Sequence, residues 1–171
     1  LRAYTSEIEY LDGHLGRLFD GLRERGLWDN TVIVFVSDHG EEFFDHGGWW
    51  HGQTLHEELV RVPLAVKLPQ GAQGGQVNGH LARLVDLAPT FLGLAGLPPA
   101  EGMSGVPLFD GELNPANAGI AYTYAENDFE NNILKAVRDG RHALITANPG
   151  NPRGAPPVAF YDTEHDAREG K

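Results

Sequence analysis

Residues 38 to 58 concentrate the side chains of this chain that can do acid, base or metal chemistry. Asp38 and His39 stand side by side, Gly40 follows, and Glu41 and Glu42 form a pair of carboxylates. His46, His51 and His56 come next, so four of the eight histidines fall between His39 and His56. A carboxylate oxygen beside an imidazole nitrogen suits Zn²⁺, Mn²⁺ or Fe²⁺ better than it suits an all-oxygen calcium cage. Gly40 lets the backbone turn tightly behind the pair. The triplet is short, however, and loops are rich in all three residue types. A strand-end loop in which Asp38 caps the next turn and the histidines face solvent accounts for the same letters.

The elements that must position these groups can be read on either side. Thr31 to Val36 is an unbroken β-branched and aromatic run, which reads as a strand covered on both faces, as in a parallel sheet. Ligands of open α/β sheets collect where loops leave the carboxyl ends of such strands. Upstream, Ile8, Leu11, Leu15, Leu18 and Leu22 fall at three- and four-residue steps, predicting a helix from Tyr4 to Arg25 with Ser6 as N-cap and Gly26 as the stop. Its glycines weaken it in isolation, so packing against the sheet is expected to hold it. Downstream, Thr54 to Leu59 reads as a short helix in which His56 packs, and Pro63 to Leu68 as a second strand entered through proline. Trp49 and Trp50 read equally as the wall of a substrate cleft and as a packed loop.

Residues 80 to 96 recover helical spacing, with Pro89 either opening a new helix near a capping Asp86 or kinking the existing one. The tail changes rhythm: Ile120 to Ala125, Ile133 to Arg138, His142 to Thr146 and Val158 to Tyr161 are short strand-like pieces separated by turns such as Asp139-Gly140. They predict a small antiparallel sheet. His14, His142 and His165 read as solvated surface residues, with only ordinary surface acids near them.

Composition narrows the function classes. A chain of 171 residues with 41% apolar content can bury a core, and no apolar run approaches a membrane span. The net charge of −11 argues against nucleic acid, which needs clustered Lys and Arg. An anionic substrate must then be held by a metal and local imidazoles. With Cys 0 there is no disulfide framework from which to read a compartment. Leu1 is not a natural start and Met103 is the only methionine, so the chain is expected to begin inside something larger.

SDHGE after a Val-rich strand, followed by HGG, HG and EELVRVPL, resembles the metal-binding segment of the sulfatase family, within the alkaline phosphatase superfamily. The likeness runs through AVRDGRHALI and FYDTEHDAREG, which are similar to the sulfatase C-terminal subdomain. It implies that Asp38 and His39 ligate one divalent metal ion, Mn, Zn or Ca. Many sulfatases have Asn at the second position, and His39 looks more like the phosphonate-hydrolase and phosphoethanolamine-transferase branches. It also implies that His51 contacts the transferred group and the leaving oxygen, although many sulfatases carry Lys one position later, where this chain has Gly52. His46 is the expected substrate-binding neighbour.

The fold so implied is α/β: a partial alkaline-phosphatase-like sheet flanked by helices over residues 1–112, then a small antiparallel C-terminal subdomain over 113–171. The function implied is that of a fragment of a metal-dependent sulfuric or phosphoric ester hydrolase acting on an anionic ester. Family members carry their nucleophile and an acidic metal-binding pair near the N-terminus. Neither is in this chain, so the isolated polypeptide is expected to show no turnover. An upstream strand is also implied, and the open sheet edge left without it predicts self-association, which a clean monomer in sedimentation would contradict. Two alternatives stand beside this reading: a non-catalytic binding or assembly module, and part of a phosphonate hydrolase or phosphoethanolamine transferase.

Overall fold

A computed structural model of the chain describes residues 1–110 and 112–170. In chain order the elements are helix α1 (Arg2–Glu24), strands β1 (Ile33–Val36), β2 (Glu42–Phe43) and β3 (Trp49–Trp50), the single turn α2 (Glu57–Val60), β4 (Leu64–Lys67), helix α3 (Leu87–Leu94), and strands β5 (Thr123–Phe129), β6 (Asn132–Arg138), β7 (His142–Ala147) and β8 (Val158–Asp162). They form an α/β fold ending in a four-stranded antiparallel sheet. The chain divides into two units, Leu1–Val36 with Leu64–Gln76, and Ser37–Pro63 with Val77–Lys171.

In the first unit β1 pairs with β4 in antiparallel register, Ile33 opposite Lys67 and Val36 opposite Leu64. This corrects the expectation of a parallel strand covered on both faces: β1 is half-buried and Phe35 is exposed. An unbroken apolar run reports how much of a strand can be covered, not which way its partner runs. Helix α1 starts at Arg2 rather than after Ser6, whose hydroxyl donates to the Ala3 carbonyl at 2.7 Å instead of capping. Its apolar stripe is only partly covered, with Ile8, Leu11 and Leu18 exposed and no residue of α1 buried. Gly26 ends it as expected, in the left-handed region at φ 67°. Trp28 sits beneath Arg23 and Lys67, and Lys67 Nζ donates to the Trp28 and Thr31 carbonyls, fixing the approach to β1.

In the second unit the sheet runs β5-β6-β7-β8 with each neighbour antiparallel. Register sorts its faces. Ala125, Ala136, Ile145 and Ala159 stand opposite one another across the four strands and form the covered side, on which Leu55 packs beside Leu134. Tyr124, Val137, Leu144 and Phe160 make the neighbouring row, which points to the exposed side. The small alanines let Leu55 sink to 7% exposure, a burial contributing about 2 kcal/mol. That contact joins the 37–63 loop to the sheet.

Residues 80 to 83 are not helical. A 3₁₀ turn at Leu84–Asp86 precedes α3, and Pro89 lies buried in the first turn of that helix, where its missing N–H costs nothing. Asp86 occupies the cap position, yet its fully buried carboxylate serves other donors: the Arg83 backbone and guanidinium and the Val106 N–H. Burial works against that charge, but the Arg83 bonds outweigh it and hold the group below the ordinary carboxylate range.

Candidate active site

Ser37 opens the loop by donating from its hydroxyl to the His39 carbonyl at 2.6 Å. Asp38 Oδ1 accepts the His39 N–H at 3.0 Å, which turns the backbone back on itself. Gly40 is required here by space. Its N–H donates to the Leu59 carbonyl at 2.8 Å, and a Cβ at this position would lie 1.8 Å from the Glu58 carbonyl oxygen. Gly40→Ala therefore forces the loop off α2, and a loss of about 1–3 kcal/mol is expected, read as a lower urea midpoint.

The donors expected to hold a metal are brought together by this turn. His39 Nδ1 lies 2.8 Å from the Gly40 carbonyl oxygen, so that nitrogen carries the proton and Nε2 is left with its lone pair. Nε2 is 3.8 Å from Asp38 Oδ2, a gap that one ion bonded at about 2.0–2.2 Å to each can bridge. Both side chains are open to a ligand, Asp38 at 87% and His39 at 46% exposure. The residues present therefore fit a divalent ion. His51 joins them: its ring centroid is 4.3 Å from that of His39, and its Nδ1 is 3.3 Å from Glu41 Oε1. With Nδ1 turned to Glu41, Nε2 is the atom His51 presents outward.

His46 sits in a different setting. Nδ1 is 2.6 Å from Glu58 Oε1 and Nε2 is 2.9 Å from the Arg168 carbonyl oxygen. Both partners offer acceptor oxygens, an arrangement that engages both ring nitrogens and favours the protonated ring. Burial opposes that charge, but the hydrogen bond and charge of Glu58 prevail and raise the His46 pKa above its ordinary 6.5. Both nitrogens are thus turned to protein groups. Glu42, His46 and Glu58 could surround an ion only if His46 Nδ1 exchanged its bond to Glu58 for one to the ion.

His46 stacks on His56 with centroids 3.5 Å apart. His56 packs, as expected, although it stands just before α2 and not inside it as the expected helix from Thr54 to Leu59 had it, and Nδ1 donates to Glu169 Oε2 at 2.8 Å. Glu169 is 2% exposed, is also bound by the Arg138 guanidinium, and accepts the Glu57 N–H at 3.3 Å. Burial pushes its pKa up, yet the bonds from His56 and Arg138 more than reverse this and bring it down to about 2.

Sequence reasoning named Glu42 only as one of a carboxylate pair, without its structural role, and passed over Arg138 and Glu169. Glu42 is fully buried, and its carboxylate gathers the His46 and Gly48 N–H groups and the Thr54 hydroxyl, closing the 42–54 loop around one side chain. Its signal was a glycine and a threonine at hydrogen-bonding reach. Glu169 had none, since its partners lie 31 and 113 residues away. Trp49 and Trp50 pair with Phe43 and Glu42 in a two-residue ladder and stay exposed.

The surface acids near His142 and His165 are Asp139 at 3.1 Å and Asp162 at 3.0 Å, each three residues back. Asp162, Glu164 and His165 lie close enough for one ion, but Arg141 already binds both carboxylates at 2.9 and 3.2 Å. His142 and His165 are exposed at 38% and 72%, as surface residues.

Comparison with known proteins decides the family. The family model described as Sulfatase matches residues 1–97. The chain belongs to the sulfatase family. An N-acetylglucosamine-6-O-sulfatase of Bacteroides thetaiotaomicron is 34% identical over 108 residues, 63% of this chain and 19% of that protein. A choline-sulfatase of Rhizobium meliloti is 30% identical over 174 residues, 98% of this chain and 32% of the relative. Among solved structures, one described as in complex with its substrate D-glucosamine-2-N,6-O-disulfate superposes with a TM-score of 0.81 at 26% identity, covering 95% of this chain and 33% of that one. The sulfatase chain described here thus spans about a third of the length of such relatives. Among its described residues no helix is long and apolar enough to cross a membrane.

Proposed function

We propose that these residues supply the metal-binding and leaving-group side of an active site that hydrolyses sulfuric monoesters. The observation that carries this reading is the His39 ring, tied by Nδ1 to the Gly40 carbonyl with Nε2 facing Asp38 Oδ2. Asp38 and His39 are the ligands. The imidazole favours Zn²⁺ or Mn²⁺ over Ca²⁺. A divalent ion bound there supplies neutralisation of the charge on the transferred group and activation of a nucleophile.

His51 offers Nε2 to the leaving oxygen, and Glu41 orients its ring. His46, expected to bind substrate, acts instead by holding the loop in shape, because both of its nitrogens are engaged by protein. A protein with a net charge of −11 attracts an anionic ester only through such local positive groups. The sulfatase names of the relatives and the disulfated sugar of the structural neighbour support a sulfate ester over a phosphate ester.

The test compares p-nitrophenyl sulfate with p-nitrophenyl phosphate. The natural full-length protein is expected to hydrolyse the sulfate faster, and His51→Gln to lower kcat about a hundredfold. The 171-residue chain alone is expected to show no turnover. Faster hydrolysis of the phosphate would move the assignment to the phosphoric ester branch, and an unaltered kcat in His51→Gln would remove that residue from the reaction.

A further inference from the structure

The loop that carries His51 is gripped from the C-terminal sheet at successive points. Asn132, at one end of β6, donates from Nδ2 to the Gln53 carbonyl at 2.9 Å and is 1% exposed. Arg138, at the other end of the same strand, donates from Nη2 to the Leu55 carbonyl at 2.8 Å. Glu169 binds both Arg138 and His56. The three bonds fall on residues 53, 55 and 56, directly after His51. Glu169 reaches its partners with a backbone φ of 52°, a left-handed conformation uncommon for a residue with a Cβ. One buried amide side chain and an ion pair built on a buried carboxylate, all on one short peptide, are more than packing the loop requires, since Leu55 already seats it on the sheet.

We propose that Asn132 and the Arg138–Glu169 pair are positioning residues that set His51 against His39, making β6 and the segment around Glu169 part of the reaction machinery. This rests on the reading of His51 given above. The strand holds two carbonyls two residues apart, Gln53 and Leu55, which restrains the peptide between them. The charged pair fixes His56, the entry to α2, and with it the carbonyl side of the turn held by Gly40. His51 then has only its own rotamer to settle.

The experiment uses Glu169→Gln and Asn132→Ala. The second removes two neutral hydrogen bonds, the one to the Gln53 carbonyl and the one accepted from Asn151, and uncovers no charge, so it keeps the test open if the first variant unfolds. In the 171-residue chain, amide hydrogen exchange over residues 47–55 is expected to quicken about tenfold in each variant while β7 amides keep their protection. In the full-length protein acting on p-nitrophenyl sulfate, kcat is expected to fall about ten- to a hundredfold with KM nearly unchanged. Unchanged exchange over 47–55 in Asn132→Ala overturns the proposal, as does a loosened loop with unaltered kcat. Absence of hydrolysis by the unsubstituted full-length protein would instead overturn the assigned reaction, while the exchange result still decides whether the anchors hold the loop.

Discussion

Asp38→Ala is expected to abolish binding of Zn²⁺ and Mn²⁺ to this chain by titration calorimetry, and His39→Ala to do the same. Two donors are few, so loss of either leaves a single ligand, and affinity collapses with ligand count. In the full-length protein the same change should reduce hydrolysis to background, because charge on the transferred group would go uncompensated. Two other groups of acids and imidazoles provide the control. His46→Ala strikes the buried set with Glu42 and Glu58, and His165→Ala strikes the exposed set with Asp162 and Glu164. Both are expected to leave metal binding intact, since both His46 nitrogens are engaged by Glu58 and the Arg168 carbonyl and Arg141 occupies the exposed carboxylates. Binding that survives Asp38→Ala but disappears in His46→Ala would move the metal to the buried set.

The positions of Asp38, His39 and His51 were legible because all three lie within one short stretch whose turn is local: a carboxylate, an imidazole and a glycine that must tolerate the Glu58 carbonyl. The tail was legible for a similar reason, as alternating apolar residues and Asp139-Gly140 specify antiparallel hairpins without long-range information. Pairing direction at β1 was not, because five apolar residues in a row, Val32 to Val36, look the same beside a parallel or an antiparallel partner. The role of His46 was hidden because its neighbours are Glu58 and the Arg168 carbonyl, and only the latter's distance in sequence makes it unreadable. Asp86 shows the converse. Its place before α3 predicted a cap, but the half-buried Arg83 guanidinium and the Val106 N–H compete for the same oxygens and win.

Arg138→Ala is expected to cost about 3–5 kcal/mol, because it strands the buried Glu169 carboxylate without a counter-charge and also releases the Leu55 carbonyl. In a chain of 171 residues that corresponds to a fall in Tm of about 6–20 °C. The pH dependence of the same cluster carries two signs. The Glu169 pKa is lowered from 4.5 to about 2, so its contribution is complete above pH 4.5 and is lost as pH falls through about 2. The His46 pKa is raised above 6.5, so its contribution is complete below pH 6.5 and is lost as pH rises through the elevated value. Glu58 and Arg168 face His46, while His56, Arg138 and Tyr161 surround Glu169 and its stacked partner. Stability from this cluster should therefore peak between pH 4.5 and 6.5. Melting curves from pH 2 to 8 check it: the difference between wild type and Glu169→Gln should narrow on the acid side, and that between wild type and His46→Gln on the alkaline side. A difference that stays constant across the range would mean that neither group changes its proton affinity on folding, and the ion-paired clasp would have to be replaced by neutral packing around the same residues.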